Sequence, residues 1–430
     1  MGYVKNISSS FITRIIKIIL GFGISIIVAR ALGAEGQGYV AYILLIGSLL
    51  AGYGHLGIIN ATTYFFKRRP DYSQEEVYSV SLSFSILVWI VIMFFVLFMR
   101  YLGFILLNYN ILMVSGLLIY VLIVYLETLS RKFHRSENKI IKMNKFLLVN
   151  TVVQFILVVI FWKLDHLTPV TYFSIIITGL SLSTFLLVCN MGLKYSFKLN
   201  KKLLKDEFKY GSIVYFATLF IFLNYRADQF LIRNMIGTSA LGVYSIGVKL
   251  AELVLLLPSS VATALSGELY SISSESKKRK FITATTIKYT FYFCLIIALI
   301  GFFMTPLIPL LYGREFIESI SVFRILLVGV CFVSIGKASN PYFYTQGTPE
   351  KYLIIVLVTF FINIVLNLML IPHMGIDGAA WASTIAYLFY GLMHIFYFIV
   401  KENILFERLF LINKLEIEKI KGLLSQFSFF

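Results

Sequence analysis

Seven charged residues lie in stretches of this chain that otherwise have the composition of bilayer-crossing segments. Five are cations: Arg14, Lys17, Arg226, Lys249 and Lys337. Two are carboxylates beside them: Asp228, two residues after Arg226, and Glu252, three after Lys249. A Lys or Arg at the centre of an inserted helix costs roughly 2.5–3.5 kcal/mol, so such residues face a polar cavity, a partner or a pathway. Cations around a low-dielectric cavity lower the energy of an anion taken into it. The pattern therefore points first to an anionic passenger. Arg14, Lys17, Lys249 and Lys337 are the expected contacts for its charged headgroup. Arg226, Asp228 and Glu252 are the expected gating or ion-coupling residues. Arg14 and Lys17, three apart, share one helical face.

Other chemistry lacks support. There is no nucleophile–base set, no phosphate loop and no metal-ligand spacing. Cys189, Cys294 and Cys331 all lie in apolar stretches and read as small core residues. His55 and His394 are isolated and read as hydrogen-bonded core histidines. Gly52-Tyr53-Gly54-His55-Leu56-Gly57 fits G-x-G-x-x-G, but a dinucleotide site needs a preceding strand. Inside a membrane helix the same glycines mark close packing or a kink. The chain is not expected to be an enzyme or to carry a metal or organic cofactor.

The elements that must position these charges are helices. The 430 residues are 59% hydrophobic and 14% charged, against about 45–50% and about 25% in soluble domains. Apolar runs of this length satisfy their backbone only as helices. The expected spans are 11–32, 38–64, 79–99, 110–129, 146–163, 170–191, 211–233, 240–265, 287–311, 322–346, 352–371 and 376–400. The apolar stretch 102–107 is too short to span and belongs to the loop before the fourth. The first apolar stretch runs on through Ala31-Leu32-Gly33 without a cleavage site, so the first span is expected to remain.

The net charge of +17 is spread over the loops. Loops with Lys67-Arg68-Arg69, Arg131 to Lys145, Lys194 to Lys209 and Lys277-Lys278-Arg279-Lys280 alternate with loops that hold little beyond Arg100, Lys163, Arg233 and Arg314. Roughly 26 basic residues fall on one side and roughly 4 on the other, which by the positive-inside rule puts both termini in the cytoplasm. This distribution is that of membrane topology and excludes a nucleic-acid-binding domain.

A parallel repeat is also visible. Gly33 and Gly38, between spans one and two, match Gly237 and Gly242, between spans seven and eight, at one constant offset. The expected fold is an all-α polytopic membrane protein. Twelve transmembrane helices form two six-helix lobes related by a pseudo-two-fold axis along the membrane normal. The N-terminal lobe is 1–200 and the C-terminal lobe 201–400. Residues 401–430 form a cytoplasmic tail, read either as a surface-lying amphipathic helix or as a partly disordered segment.

The most specific pattern lies late in the chain. Asn363-Ile364-Val365-Leu366-Asn367-Leu368-Met369-Leu370-Ile371-Pro372 is followed by Gly375, Gly378-Ala379-Ala380 and Ala382-Ser383. Ala29-Arg30-Ala31-Leu32-Gly33, Arg226-Ala227-Asp228-Gln229 and Pro306-Leu307-Ile308-Pro309-Leu310-Leu311-Tyr312-Gly313 join it at matching positions. Together they resemble the polysaccharide flippases of the O-antigen (Wzx) type. Their superfamily also holds the lipid II flippases and the MATE multidrug exporters. Gly267-Glu268-Leu269 departs from the proline and serine frequent in the family after the eighth span.

The resemblance implies alternating-access transport of an undecaprenyl-pyrophosphate-linked oligosaccharide, the repeat unit of O-antigen, capsule or exopolysaccharide. It implies a bacterial cytoplasmic membrane, coupling to a sodium or proton gradient or to the membrane potential, and a monomer. A polymerase and glycosyltransferases of the same pathway are the implied partners. Two other readings are a cation-coupled multidrug antiporter of the same fold and a non-transporting scaffold. The first predicts a site dominated by carboxylates, which these cations disfavour. The second predicts that neutralising the cations leaves polymer export intact.

Overall fold

The computed structural model describes residues 2–68, 71–272, 276–346 and 348–411, and among them regular structure is entirely helical. The helices are α1 (Gly2–Tyr53), α2 (Ile58–Arg68), α3 (Gln74–Tyr101), α4 (Ile111–Ser136), α5 (Ile140–Lys163), α6 (Pro169–Cys189) and α7 (Lys201–Met235). There follow α8 (Thr238–Val254), α9 (Leu256–Ser271), α10 (Ser276–Phe303), α11 (Leu307–Tyr312), α12 (Ser319–Thr345), α13 (Pro349–Phe396) and α14 (Phe406–Phe410). Nine helical segments among the described residues are long and apolar enough to cross a membrane. Many of their large apolar side chains face outward, as lipid contact requires: Ile19, Val91, Phe94 and Phe303 are all well exposed. The chain is an all-α polytopic membrane protein.

Turn chemistry sets the breaks. Gly33 (φ 65°) and Gly375 (φ 60°) interrupt α1 and α13 with backbone that an L side chain rarely adopts. A Cβ on Gly378 would strike the carbonyl of Leu370, and Asn363 Nδ2 reaches Ser383 Oγ at 3.4 Å, so the two arms of α13 pack together. Thr168 begins α6 with a capping box to Thr171 and Pro169 in the first turn. Ser73, Asn110 and Asn200 cap α3, α4 and α7.

Each expected span lies within helical structure, but several helix ends differ from the hydropathy limits. Helix α7 starts at Lys201 rather than 211, and α10 at Ser276 rather than 287. Lys277-Lys278-Arg279-Lys280 therefore occupy the first turns of a helix, not a loop. Hydropathy marks where lipid begins, whereas the helix continues into the polar zone. Three expected single helices are broken. In an unbroken helix the ring of Pro258 would clash with the carbonyl of Val254, where α8 stops, and that of Pro306 with the carbonyl of Phe302, beside the end of α10. Leu56 (φ 50°) and Gly57 (φ 85°) separate α1 from α2. Residues 102–110 form a loop tied by Arg100, whose Nη1 donates to Leu106 O at 2.6 Å and Tyr109 O at 2.8 Å.

The chain forms two compact units. The first is Met1–Val243 with Pro309–Ile317, and the second is Tyr244–Ile308 with Glu318–Phe430. This partition differs from lobes of 1–200 and 201–400, because α7 packs on α1, α2 and α3 of the first unit. The reason is close backbone approach. A Cβ on Gly57 would lie 2.9 Å from the carbonyl oxygen of Gly211, and one on Gly211 would strike that of Gly57. In the second unit α12 is the buried centre, packed on α9, α10 and α13. Gly329, Gly336 and Gly391 give room there to Thr384, Tyr390 and Phe332.

Of the tail expected at 401–430, residues 412–430 lie outside the described residues. The remainder is docked rather than lying free. Lys280 Nζ donates to Glu402 O at 2.8 Å, Lys288 Nζ to Leu411 O at 2.8 Å and Tyr292 Oη to Phe410 O at 2.6 Å.

Candidate functional site: a cationic cleft at the start of the first helix

Helix α1 packs on α5, and the first turns of the two frame a cleft of about 300 Å³. Its polar lining is Ser10, Thr13, Arg14 and Lys17 from α1 and Asn144 from α5. The spacing of 10, 13, 14 and 17 is that of one helical face. Asn144 Nδ2 donates to Ser10 Oγ at 3.0 Å and reaches Ser9 Oγ at 3.4 Å. That bond joins α5 to α1 and turns the amide toward the hydroxyls beside the cations. Glu127 of α4 lies near enough to act electrostatically on Lys17, and it also faces Arg131 at 3.9 Å. One carboxylate thus stands near both Lys17 and Arg131.

The cleft offers a guanidinium fork, an ammonium, two hydroxyls and an amide. Such a donor set binds a phosphate-like or carboxylate group. Its volume sits at the lower end of the about 300–1,000 Å³ typical of ligand pockets. That is room for a small charged group and not for an oligosaccharide.

The other expected contacts are placed differently. Lys249 on α8 is exposed, with half-buried Glu252 near enough to influence it. Lys337 on α12 is half-buried, and its Nζ stands 3.5 Å from Ser259 Oγ of α9. These three belong to the second unit, and Arg14, Lys17, Arg226 and Asp228 to the first. On α7, Arg226 Nη1 donates to Tyr225 O at 3.3 Å, and buried Asp228 accepts from Gln229 N at 2.7 Å. Two residues apart on an unbroken helix, Arg226 and Asp228 leave it about 200° apart. The structure brings Arg14 and Lys17 together in one site and Lys249 and Glu252 in one neighbourhood.

A second constellation surrounds the Gly33 turn. Glu315 accepts from Ala34 N at 2.8 Å, so a carboxylate meets the helix start that the Gly33 break creates. Arg30, just before the turn, donates to Leu311 O at 2.7 Å and also to Leu310 O. Arg324 is similarly engaged, by Thr305 Oγ1 at 2.7 Å and the ring of Phe302. Beside the turn, the repeated glycines meet. A Cβ on Gly38 would strike the carbonyl oxygen of Thr238 and lie 2.9 Å from Gly242 N. One on Gly242 would strike that of Ala34 and lie 2.9 Å from Gly38 N. The contact is reciprocal, at the same offset that relates the two glycine pairs.

Sequence reading missed Asn144, which stands in a basic polar stretch with nothing to single it out. It also missed Lys288, which is fully buried and holds the carbonyl of Leu411. Lys288 stands at the expected start of the 287–311 span, where a cation is ordinary. His55 and His394 are buried, with Nδ1 of His55 accepting from Gly57 N at 3.1 Å and Nδ1 of His394 2.8 Å from Tyr390 O. Among the described residues no group of three or more His, Cys, Asp or Glu is placed to hold a metal.

Residues 3–270 match the model of a family described as polysaccharide biosynthesis protein. The capsular polysaccharide biosynthesis protein CapF of Staphylococcus aureus is 22% identical over 92% of this chain and 98% of its own length. The fold is similar to that of an inward-facing MATE-family multidrug resistance transporter of the MOP superfamily. Its TM-score is 0.69 at 15% identity, over 89% of this chain and 93% of that one. It is equally similar to the lipid II flippase MurJ in an inward closed conformation, with TM-score 0.69 at 16% identity, over 91% and 87%. Both of these solved structures are transporters, and at this identity the likeness is one of fold. The chain belongs to the polysaccharide biosynthesis protein family and is a multi-pass membrane protein whose fold is similar to those of the MATE-family transporter and MurJ.

Proposed function

We propose that this protein is a flippase that carries an undecaprenyl-pyrophosphate-linked oligosaccharide, the repeat unit of an O-antigen, capsule or exopolysaccharide, from the inner to the outer leaflet. The observation that carries the reading is the convergence of Arg14, Lys17, Ser10, Thr13 and Asn144 on one cleft. Two cations and three neutral hydrogen-bonding groups match a pyrophosphate better than a cationic drug, which calls for carboxylates and aromatic rings. The basic-loop rule places this end of α1 at the cytoplasmic leaflet of a bacterial plasma membrane, where the cargo is loaded. Lys249 and Lys337 act deeper in the pathway. Arg226, Asp228 and Glu252 serve gating or coupling to a sodium or proton gradient or to the membrane potential. Alternating access carries the headgroup across while the lipid tail stays in the bilayer. The protein works as a monomer beside the polymerase and glycosyltransferases of its pathway.

The test is reconstitution in vesicles with a lipid-linked oligosaccharide in one leaflet. The proposal expects its translocation, and none of a cationic dye. Dye transport without lipid translocation would select the antiporter, and neither activity, with export intact in cells, the scaffold.

A further inference from the structure

One further buried ionisable group lies outside all of these sites. Glu207 stands near the start of α7, ahead of the membrane-spanning part of that helix, and is fully buried. Its neighbourhood is the apolar cluster of Phe65, Phe66, Val77, Tyr78, Val80, Leu82 and Leu203. One oxygen, Oε1, accepts from Ser81 Oγ at 2.8 Å. The other, Oε2, is buried with no hydrogen-bond partner. A carboxylate in such a place would be an uncompensated buried charge, which is strongly destabilising.

The groups around it do not neutralise it. On its own helix, half-buried Asp206 takes the hydroxyl of Tyr72 at 3.3 Å, and Lys205 and Lys209 are exposed. On α3, Glu75 and Glu76 are occupied by Lys194 N and Asn200 Nδ2. Tyr78 of α3 faces Tyr195 of the linker, and the described side chain of Tyr64 lies on α2. Lys194 and Lys198 of the linker are exposed.

The linker 190–200 crosses the same stretch of α3. Glu75, Ser79 and Ser83, four residues apart, accept from the backbone N–H of Lys194, Ser196 and Lys198, two residues apart. Every fourth residue of a helix advances about 6 Å and every second residue of an extended chain about 6.6 Å, so the two rows stay in register. Ser81, the partner of Glu207, is two residues from Ser79 and from Ser83 and leaves α3 about 200° round the helix from them, on the α7 side.

We propose that Glu207 is a reversible proton-binding site, neutral in the described state, on which the docking of α7 onto α3 depends. A neutral carboxyl removes the buried charge and keeps the Ser81 hydrogen bond on Oε1. An ionised one must leave the apolar cluster, and in leaving it withdraws α7 from Ser81. Burial raises the pKa to about 8, with the Ser81 hydrogen bond a smaller opposing effect. The sign follows: the folded-state value lies above the unfolded one. The contribution to stability is therefore complete below the ordinary carboxyl range and is lost as pH rises through about 8. The proposal is independent of the cargo.

The test uses the whole purified protein and Glu207→Gln, which mimics the neutral form. Infrared difference spectra at about pH 6 should show a protonated-carboxyl band that the variant lacks, and thermal unfolding of the native protein should fall between about pH 6 and about pH 9 while the variant falls less. The absence of that band, or an identical pH dependence in both proteins, would overturn it. Glu207→Asp is the second variant: it keeps the charge, shortens the reach to Ser81 and should move the pH midpoint. An unmoved midpoint would also count against the site.

Discussion

The glycine crossing and the cationic cleft both lie in the first compact unit, and they are built on opposite principles. At the crossing, Gly38 and Gly242 bring backbones together so closely that no side chain fits on either side. At the cleft, side chains hold the helices apart around about 300 Å³ of space. The crossing is apolar backbone against backbone and reciprocal, like an isologous contact. The cleft is one-sided, since its cations come from α1 alone and α5 supplies an amide. A contact without free volume suits a fixed fulcrum. A contact with spare volume and excess donors suits a ligand. The difference teaches that in a chain so rich in lipid-facing residues, function is found where polar groups surround space, and constraint where glycines remove it.

The largest effect is expected from breaking the crossing. Gly38→Ala and Gly242→Ala each put a methyl group into a rigid carbonyl. Overpacking of this kind typically costs about 1–3 kcal/mol, and here at least the upper end applies because backbone must move. The two variants should lose thermal stability in detergent by similar amounts. Unequal losses would break the reciprocity.

The cleft should behave in the other way. Arg14→Ala with Lys17→Ala should lower lipid translocation by about tenfold or more, which is about 1.4 kcal/mol, with folding and expression kept. Loss of expression instead would make these cations structural, like Arg30 and Arg324. Asn144→Ala should come next. Removing a neutral hydrogen bond costs about 0.5–1.5 kcal/mol, so a several-fold loss of translocation is expected, with a raised half-saturating lipid concentration. The smallest effect belongs to Glu315→Gln. It keeps an acceptor for Ala34 N but removes the charge at the helix start, worth about 0.3–1 kcal/mol, and should lower the melting temperature only slightly.

The sequence shows some of this and hides the rest for a physical reason. Glycines announce themselves, because Gly33 and Gly375 are required by positive φ and Gly38 and Gly242 by space. Arg14 and Lys17 announce themselves by being charged in an apolar run, and their shared face follows from spacing alone. Asn144 and Glu207 do not, since each sits in a stretch where polar residues are ordinary. What makes them matter is a neighbour more than a hundred positions away, Ser10 for one and Ser81 for the other. Helix ends were hidden too. Hydropathy reports lipid, and α7 and α10 keep their helical hydrogen bonds beyond it. Lys249 and Lys337 show the limit of charge as a signal: both stand out in sequence, yet Lys337 reaches toward Ser259 and Lys249 lies near Glu252.

The central claim is that the Arg14–Lys17 cleft receives the charged headgroup, and photocrosslinking tests it most directly. A photoreactive residue in place of Leu147, which lines the cleft, should capture a labelled diphosphate lipid in membranes. Inorganic pyrophosphate should compete, and Arg14→Ala with Lys17→Ala should abolish the product. Capture at 147 that is unchanged by the double substitution, or no capture while translocation is normal, would contradict the account.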